Sequence, residues 1–208
     1  MGSFTFFPTF VFFFGMFKSS RSLRLKSFAP YAVALLGAGA VVLLAWLSRG
    51  QRNPVIAGNQ APAFTAVDEH GTSHSVEDYP GKVLLVNIWA TWCVTCKEEM
   101  PSMQRLYEEL AGEGFEILAV SVDATIGQRG MFGESGGDLW AYADSMALTF
   151  PILLSPSQRI AESYQITGVP ESFVIDRHGV IIRKVAGPTA WDAPEYVDLI
   201  RRLLRRED

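Results

Sequence analysis

"NIWATWCVTCKEEMP", residues 87–101, holds the chain's two cysteines, Cys93 and Cys96, two residues apart and directly after Trp92. The run leading into it, "KVLLVNIWA" (82–90), is almost continuously apolar, the pattern of a strand covered on both faces. Beyond it, Met100, Met103, Tyr107 and Leu110 recur at helical spacing, which predicts a helix beginning near Cys93. Pro101 falls inside that pattern and is expected to kink it, because it has no N–H and crowds the preceding turn. Cys93 therefore stands where a buried strand gives way to a helix.

Three chemistries use a Cys-x-x-Cys pair, and they are not equally well served here. As a structural staple it would close so short a loop that the restraint on the unfolded chain is about 2 kcal/mol. A domain of this size does not need it. As a zinc site it supplies two ligands where four are wanted, and His70, His74 and His178 form no compact companion set. Met100 and Met103 lie on the helix's apolar stripe and read as core, not as copper ligands. As a working dithiol the placement makes chemical sense. A thiol at a helix N-terminus meets unpaired N–H groups and the positive end of the dipole, which favour thiolate. Thiolate is the attacking species in disulfide exchange. Cys96, one turn further on, is placed to resolve the mixed disulfide. No cofactor is needed, since the two sulfurs carry the electrons.

Outward from this stretch, strands and helices alternate. Phe64–Val67 and Ser73–Val76 flank the turn Asp68–Thr72, and Pro80-Gly81 makes another turn. "FEILAVSVD" (115–123) reads as a second buried strand. Five glycines in 124–137 predict a long mobile loop, in which Met131 and Phe132 either touch a partner protein or tuck onto the core. A helix is expected over Asp138–Leu148 and a strand over 150–154. Ser155-Pro156-Ser157-Gln158 has the pattern of a capping box opening a helix. "ESFVID" and "VIIRKVA" flank Asp176-Arg177-His178-Gly179 as a second hairpin. Asp192 with Glu195 is expected to cap a last helix striped by Tyr196, Ile200, Leu203 and Leu204. Strands separated by helices imply a parallel portion of sheet covered on both faces, with the last hairpin adding antiparallel strands at one edge.

The charge is divided. The chain has 208 residues and a net charge of −4. Residues 1–52 carry Lys18, Arg21, Arg24, Lys26, Arg49 and Arg52 and no acid, leaving residues 53–208 with a balance of −10. An acidic domain of this kind repels phosphates, so a nucleic-acid partner is not expected. Phe28 to Leu47 is a run of twenty uncharged residues, about the length that spans a bilayer core as a helix. The basic residues before it predict a cytoplasmic N-terminus and an exported domain. A cleaved secretory signal is the alternative, but its apolar region is usually only about 7–15 residues. The expected organisation is a cytoplasmic segment 1–27, a transmembrane anchor 28–48, a tether 49–61 and a globular domain 62–208. Within the first segment, Phe-rich residues 1–15 read as an extension of a chain starting at Met16.

Trp89-Ala90-x-Trp92-Cys93-x-x-Cys96-Lys97, Pro101 and Gly168-Val169-Pro170 together resemble the thioredoxin fold, over residues from about 60 to 206. More closely, "NIWATWCVTCKEEMP", "TGVPESFVIDRHG" and "AGPTAW" resemble the membrane-anchored TlpA/ResA-like thiol–disulfide oxidoreductases of bacteria. The resemblance implies an α/β thioredoxin-like fold with a mixed central sheet flanked by helices, behind one N-terminal transmembrane helix. It implies a single-pass protein of the bacterial inner membrane with its catalytic domain on the periplasmic side. A membrane electron donor would keep it reduced, and its client would be a protein disulfide or dithiol in cytochrome c maturation or cytochrome oxidase copper-site assembly. Pro170 matches the family's cis-proline, which exposes the backbone of Val169 to a substrate strand; the alternative is an ordinary trans turn proline. Asn87 stands where cytosolic thioredoxins have a buried proton-transferring Asp, a task an amide cannot perform. Glu99 matches an acid near the dithiol in ResA-like members, a candidate proton acceptor, and is otherwise a solvated helix glutamate like Glu98. Trp92 shields the sulfur and forms part of the docking face, or packs in the core. Two other activities fit the same residues: disulfide oxidation or isomerisation, whose direction depends on reduction potential, and copper(I) delivery by the two thiolates.

Overall fold

The computed structural model describes residues 29–47, 55–124, 128–130, 133–155, 157 and 159–205. Residues 1–28, the start of the tether, Met131, Phe132, Pro156 and Gln158 lie outside them, and with them the expectations about the early start and the capping box. The chain divides into two units, Met1–Arg52 and Asn53–Asp208.

In the first unit, Ala29–Leu47 forms helix α1, 19 residues without a charge. Among the described residues no helix is long and apolar enough to cross a membrane.

The second unit is a seven-stranded sheet with helices packed on it. The strands are β1 (Ala66–Val67), β2 (Ser73–His74), β3 (Val83–Trp89), β4 (Phe115–Ser121), β5 (Ile152–Leu154), β6 (Glu171–Ile175) and β7 (Ile181–Ala186). Their spatial order is β2-β1-β5-β4-β3-β6-β7. The two apolar runs lie side by side at the centre, parallel, in register from Val83↔Phe115 to Trp89↔Ser121. Every residue of both is buried, as strands covered on both faces require. β5 extends the parallel part. β6 runs antiparallel to β3, and β7 to β6, so the last hairpin closes one edge. The first hairpin closes the other edge, with β1 antiparallel to β5.

Helix α2 (Val94–Leu110) carries the chain from β3 to β4. Cys96, Met100, Met103, Leu106 and Leu110 are fully buried on it. Tyr107, expected on the stripe, is only half-buried, and Leu106 takes the inward position. Pro101 is exposed within the helix. Gly114, with φ 95°, turns the chain into β4, a conformation that costs glycine little.

Helix α3 (Leu139–Ser145) is capped by Asp138, whose carboxylate accepts the Ala141 N–H at 3.0 Å. Helix α4 spans Arg159–Ser163 and helix α5 spans Pro194–Arg205. Asp192 does not serve as the expected cap. The last helix opens on Pro194, a residue suited to the first helical position, and Asp192 accepts from Arg105 Nε of α2 at 2.6 Å. A second ion pair, Arg201–Glu109, ties α5 to α2.

Both predicted hairpin turns use the same device. Asp68 accepts the N–H groups of His70 and Thr72, and Asp176 those of His178 and Val180. Gly71 and Gly179 supply the positive φ that each turn needs. In the glycine-rich loop, Arg129 bridges to Ser135.

Candidate functional site

Cys93 is the N-cap of α2, with extended backbone (φ −84°, ψ 106°), and Cys96 lies one turn inside. Their sulfurs are joined in a disulfide. The N–H of Cys96 donates to Cys93 Sγ at 3.1 Å, which is the capping bond a side-chain oxygen would otherwise accept. An N–H aimed at that sulfur, at the positive end of a helix, favours its charged form on reduction. The Thr95 hydroxyl lies 3.5 Å from the same sulfur. Exposure separates the two cysteines: 6% for Cys93 and none for Cys96. Of the two, Cys93 is the one that keeps some exposure.

Across from α2 is the loop entering β6. The Val169–Pro170 peptide is cis, and the Val169 carbonyl oxygen lies 3.6 Å from Cys93 Sγ. Residues 76 positions apart in sequence thus meet at one sulfur. Pro170 is buried, Val169 half-buried and Trp92 half-buried against the core. Val94, next to Cys93, is 69% exposed and presents an apolar side chain beside the disulfide.

Glu99 is not a solvated helix residue like its exposed neighbour Glu98. It is 2% exposed, and three donors converge on its carboxylate. Asn87 Nδ2 donates to Oε1 at 2.7 Å. The Thr189 N–H and Trp191 Nε1–H donate to Oε2 at 3.1 and 3.4 Å. Burial pushes its pKa up from 4.5 to about 7, and the three hydrogen bonds restrain that rise. Asn87 is also fully buried and gives its second N–H to Ser172 Oγ at 2.8 Å. The Asn87 amide on β3 therefore holds the acid on α2.

Sequence reading did not find the loop that seals this carboxylate. Ser102 Oγ donates to the Glu99 carbonyl and accepts the Trp191 N–H at 3.0 Å. Together with the Arg105–Asp192 pair, this lays residues 187–192 along α2. The available signal was "AGPTAW", in which a tryptophan follows a Gly-Pro turn. A cleft of about 290 Å³ between this loop and α2 has Glu98, Glu99, Arg105 and Asp192 on its walls.

Comparison with known proteins agrees with this geometry. Residues 57–184 match the AhpC/TSA family. The thiol-disulfide oxidoreductase ResA of Geobacillus thermodenitrificans is 32% identical over 152 residues, covering 73% of this chain and 82% of that protein. ResA of Bacillus subtilis is 30% identical over 145 residues, 69% of this chain and 75% of that one. Among solved structures, the thioredoxin domain of a thiol-disulfide oxidoreductase from Bacteroides vulgatus superposes with a TM-score of 0.57 at 25% identity, over 72% of this chain and 98% of that one. A thiol:disulfide interchange protein from Chlorobium tepidum gives 0.55 at 26%, over 70% and 96%. The chain belongs to the AhpC/TSA family and, within it, is a TlpA/ResA-like thiol–disulfide oxidoreductase of thioredoxin fold. Its client is accordingly a protein that bears a disulfide.

Proposed function

We propose that this chain is a membrane-anchored reductase working on the periplasmic side of the bacterial inner membrane. The observation that carries the reading is a Cys93 sulfur that accepts the Cys96 N–H at the start of α2, 3.6 Å from the Val169 carbonyl, in the one cysteine of the pair that keeps some exposure. In the reduced enzyme, the Cys93 thiolate attacks one sulfur of the client disulfide. A Cys93–client S–S bond forms, and the other client sulfur leaves as thiolate. Cys96, deprotonated, then attacks Cys93 Sγ, giving the Cys93–Cys96 disulfide and releasing the second client thiolate. Two electrons pass to the client, whose thiolates take up protons.

Glu99 is the proton acceptor for Cys96 in this scheme, one turn along α2 and titrating near neutrality. The cleft beside α2 is its route to solvent. Trp92 and Val94 form the apolar rim of the docking face, and the Val169 backbone pairs with the client strand. The uncharged stretch 28–47 behind four basic residues supports anchoring with the acidic domain outside. The family resemblance supports a membrane donor as the source of electrons, and a client whose cysteine pair later binds haem or copper.

Two measurements test this. Expression of Cys96→Ala in native cells should freeze a mixed disulfide on Cys93, and mass spectrometry of the adduct identifies the client. The reduction potential should lie near thioredoxin's, about −270 mV; a value near DsbA's, about −120 mV, would make the protein an oxidase and sink the proposal.

A further inference from the structure

Asp123 takes no part in the exchange just described, yet it is 1% exposed and its carboxylate accepts three hydrogen bonds, two of them from Thr91, two residues before Cys93. It follows the end of β4, as Thr91 follows the end of β3. Its Oδ1 accepts the Thr91 hydroxyl at 2.6 Å and its Oδ2 accepts the Thr91 N–H at 2.7 Å. Oδ2 also accepts the hydroxyl of fully buried Ser121 at 2.6 Å, and Ser121 Oγ in turn accepts the Asp123 N–H at 2.9 Å. The backbone ladder between β3 and β4 ends with Val122 N–H on the Trp89 carbonyl at 2.9 Å. One carboxylate then continues it by gripping the next turn of chain at both its backbone and its side chain.

That turn delivers the nucleophile. Cys93 N–H bonds the Ala90 carbonyl at 3.1 Å, so Thr91 and Trp92 are its corner residues. The same hydroxyl is enclosed by a second neighbour. A Cβ built on Gly137 would lie 2.4 Å from Thr91 Oγ1, so only glycine lets the end of the glycine-rich loop pack there. Bonded to Asp123 and packed against Gly137, the Thr91 side chain is held in place. Attack on a disulfide requires the incoming sulfur to lie along the S–S axis. A client strand held on the Val169 backbone cannot shift to find a displaced thiolate.

We propose that Asp123 is a positioning residue for client reduction, acting through Thr91 to hold Cys93 Sγ in register with the Val169 carbonyl. This rests on the oxidoreductase reading and adds a group that touches neither sulfur nor client. Its effect is confined to substrates whose backbone is docked. A small disulfide, free to orient itself, reacts wherever the thiolate stands.

The test compares two substrates on the full chain: a peptide closed by a Cys-x-x-Cys disulfide, and hydroxyethyl disulfide, which has no backbone to dock. The unsubstituted protein must reduce both; failure with both would overturn the oxidoreductase reading and this inference with it. For Asp123→Ala the ratio of peptide rate to small-disulfide rate should fall about tenfold, within the roughly hundredfold that a 1 Å misplacement can cost. Thr91→Val, which removes only the hydroxyl contact, should move the ratio in the same direction and keeps the test open should Asp123→Ala not fold. Asp123→Asn should restore the ratio, because its oxygen can take the Thr91 N–H and Ser121 hydroxyl while its N–H₂ donates to Thr91 Oγ. An unchanged ratio in Asp123→Ala or in Thr91→Val would overturn the inference, as would equal slowing of both substrates. Asp123→Asn behaving like Asp123→Ala would do so too, since the charge and not the geometry would then be at work.

Discussion

Replacing Glu99 by Gln should remove most of the loss of stability that the oxidised protein suffers as pH rises through neutrality. The carboxyl is 2% exposed and its pKa is pushed up from 4.5 to about 7, chiefly by burial. The folded state therefore holds this proton more tightly than the unfolded chain does. Its contribution to stability is full below pH 4.5, falls as pH rises between 4.5 and about 7, and is lost above that. At about 1.36 kcal/mol per pKa unit the loss comes to about 3 kcal/mol. The amide introduced by Glu99→Gln does not titrate. Its N–H₂ would face at least one of the donors from Asn87, Thr189 and Trp191, but that cost is the same at every pH and shifts the curve without tilting it. Guanidinium unfolding of the oxidised full chain in detergent, followed by tryptophan fluorescence across this pH range, measures both curves. Parallel curves for wild type and Glu99→Gln would refute the argument that burial of this carboxylate sets its proton affinity.

The other predictions concern the same site and the core beneath it. Cys93 in the reduced protein should alkylate with a midpoint below that of free cysteine, roughly 8.5, and Cys93→Ser should abolish adduct formation in the Cys96→Ala background. Trp191→Phe removes the indole donor to Glu99 Oε2; the weaker hold on the charged form should raise the Glu99 midpoint by about 0.5–1 pH unit, the equivalent of one modest hydrogen bond. The pH profile of client reduction should move with it. Leu106→Ala, at a fully buried position on α2, should cost about 2–5 kcal/mol in chemical unfolding.

Which of these groups could be read from the chain depends on how far apart they stand in sequence. The dithiol and its helix were legible because the apolar run, the tryptophan, the cysteines and the helical stripe are neighbours. Both hairpin turns were legible for the same reason, an Asp and a Gly close together in each. Glu99 was singled out from Glu98 by family resemblance alone, because helical periodicity does not separate adjacent acids in one helix. The second is met by Asn87 and by Thr189 and Trp191, some 90 residues on. Asp192 was misread as a cap because Arg105, which takes it, lies 87 positions earlier.

The order of amino acids alone thus determined the alternation of strands and helices and the place of Cys93 at a strand-to-helix junction. Both are fixed by contacts between near neighbours and by the period of the apolar residues. Folding of the sheet decided the rest: which edge each hairpin covers, that Val169 comes within reach of Cys93 as the resemblance implied, that Glu99 is sealed, and that Asp123 grips Thr91. Each of these pairs residues from separate strands and loops, and their partnership exists only once β3 lies between β4 and β6.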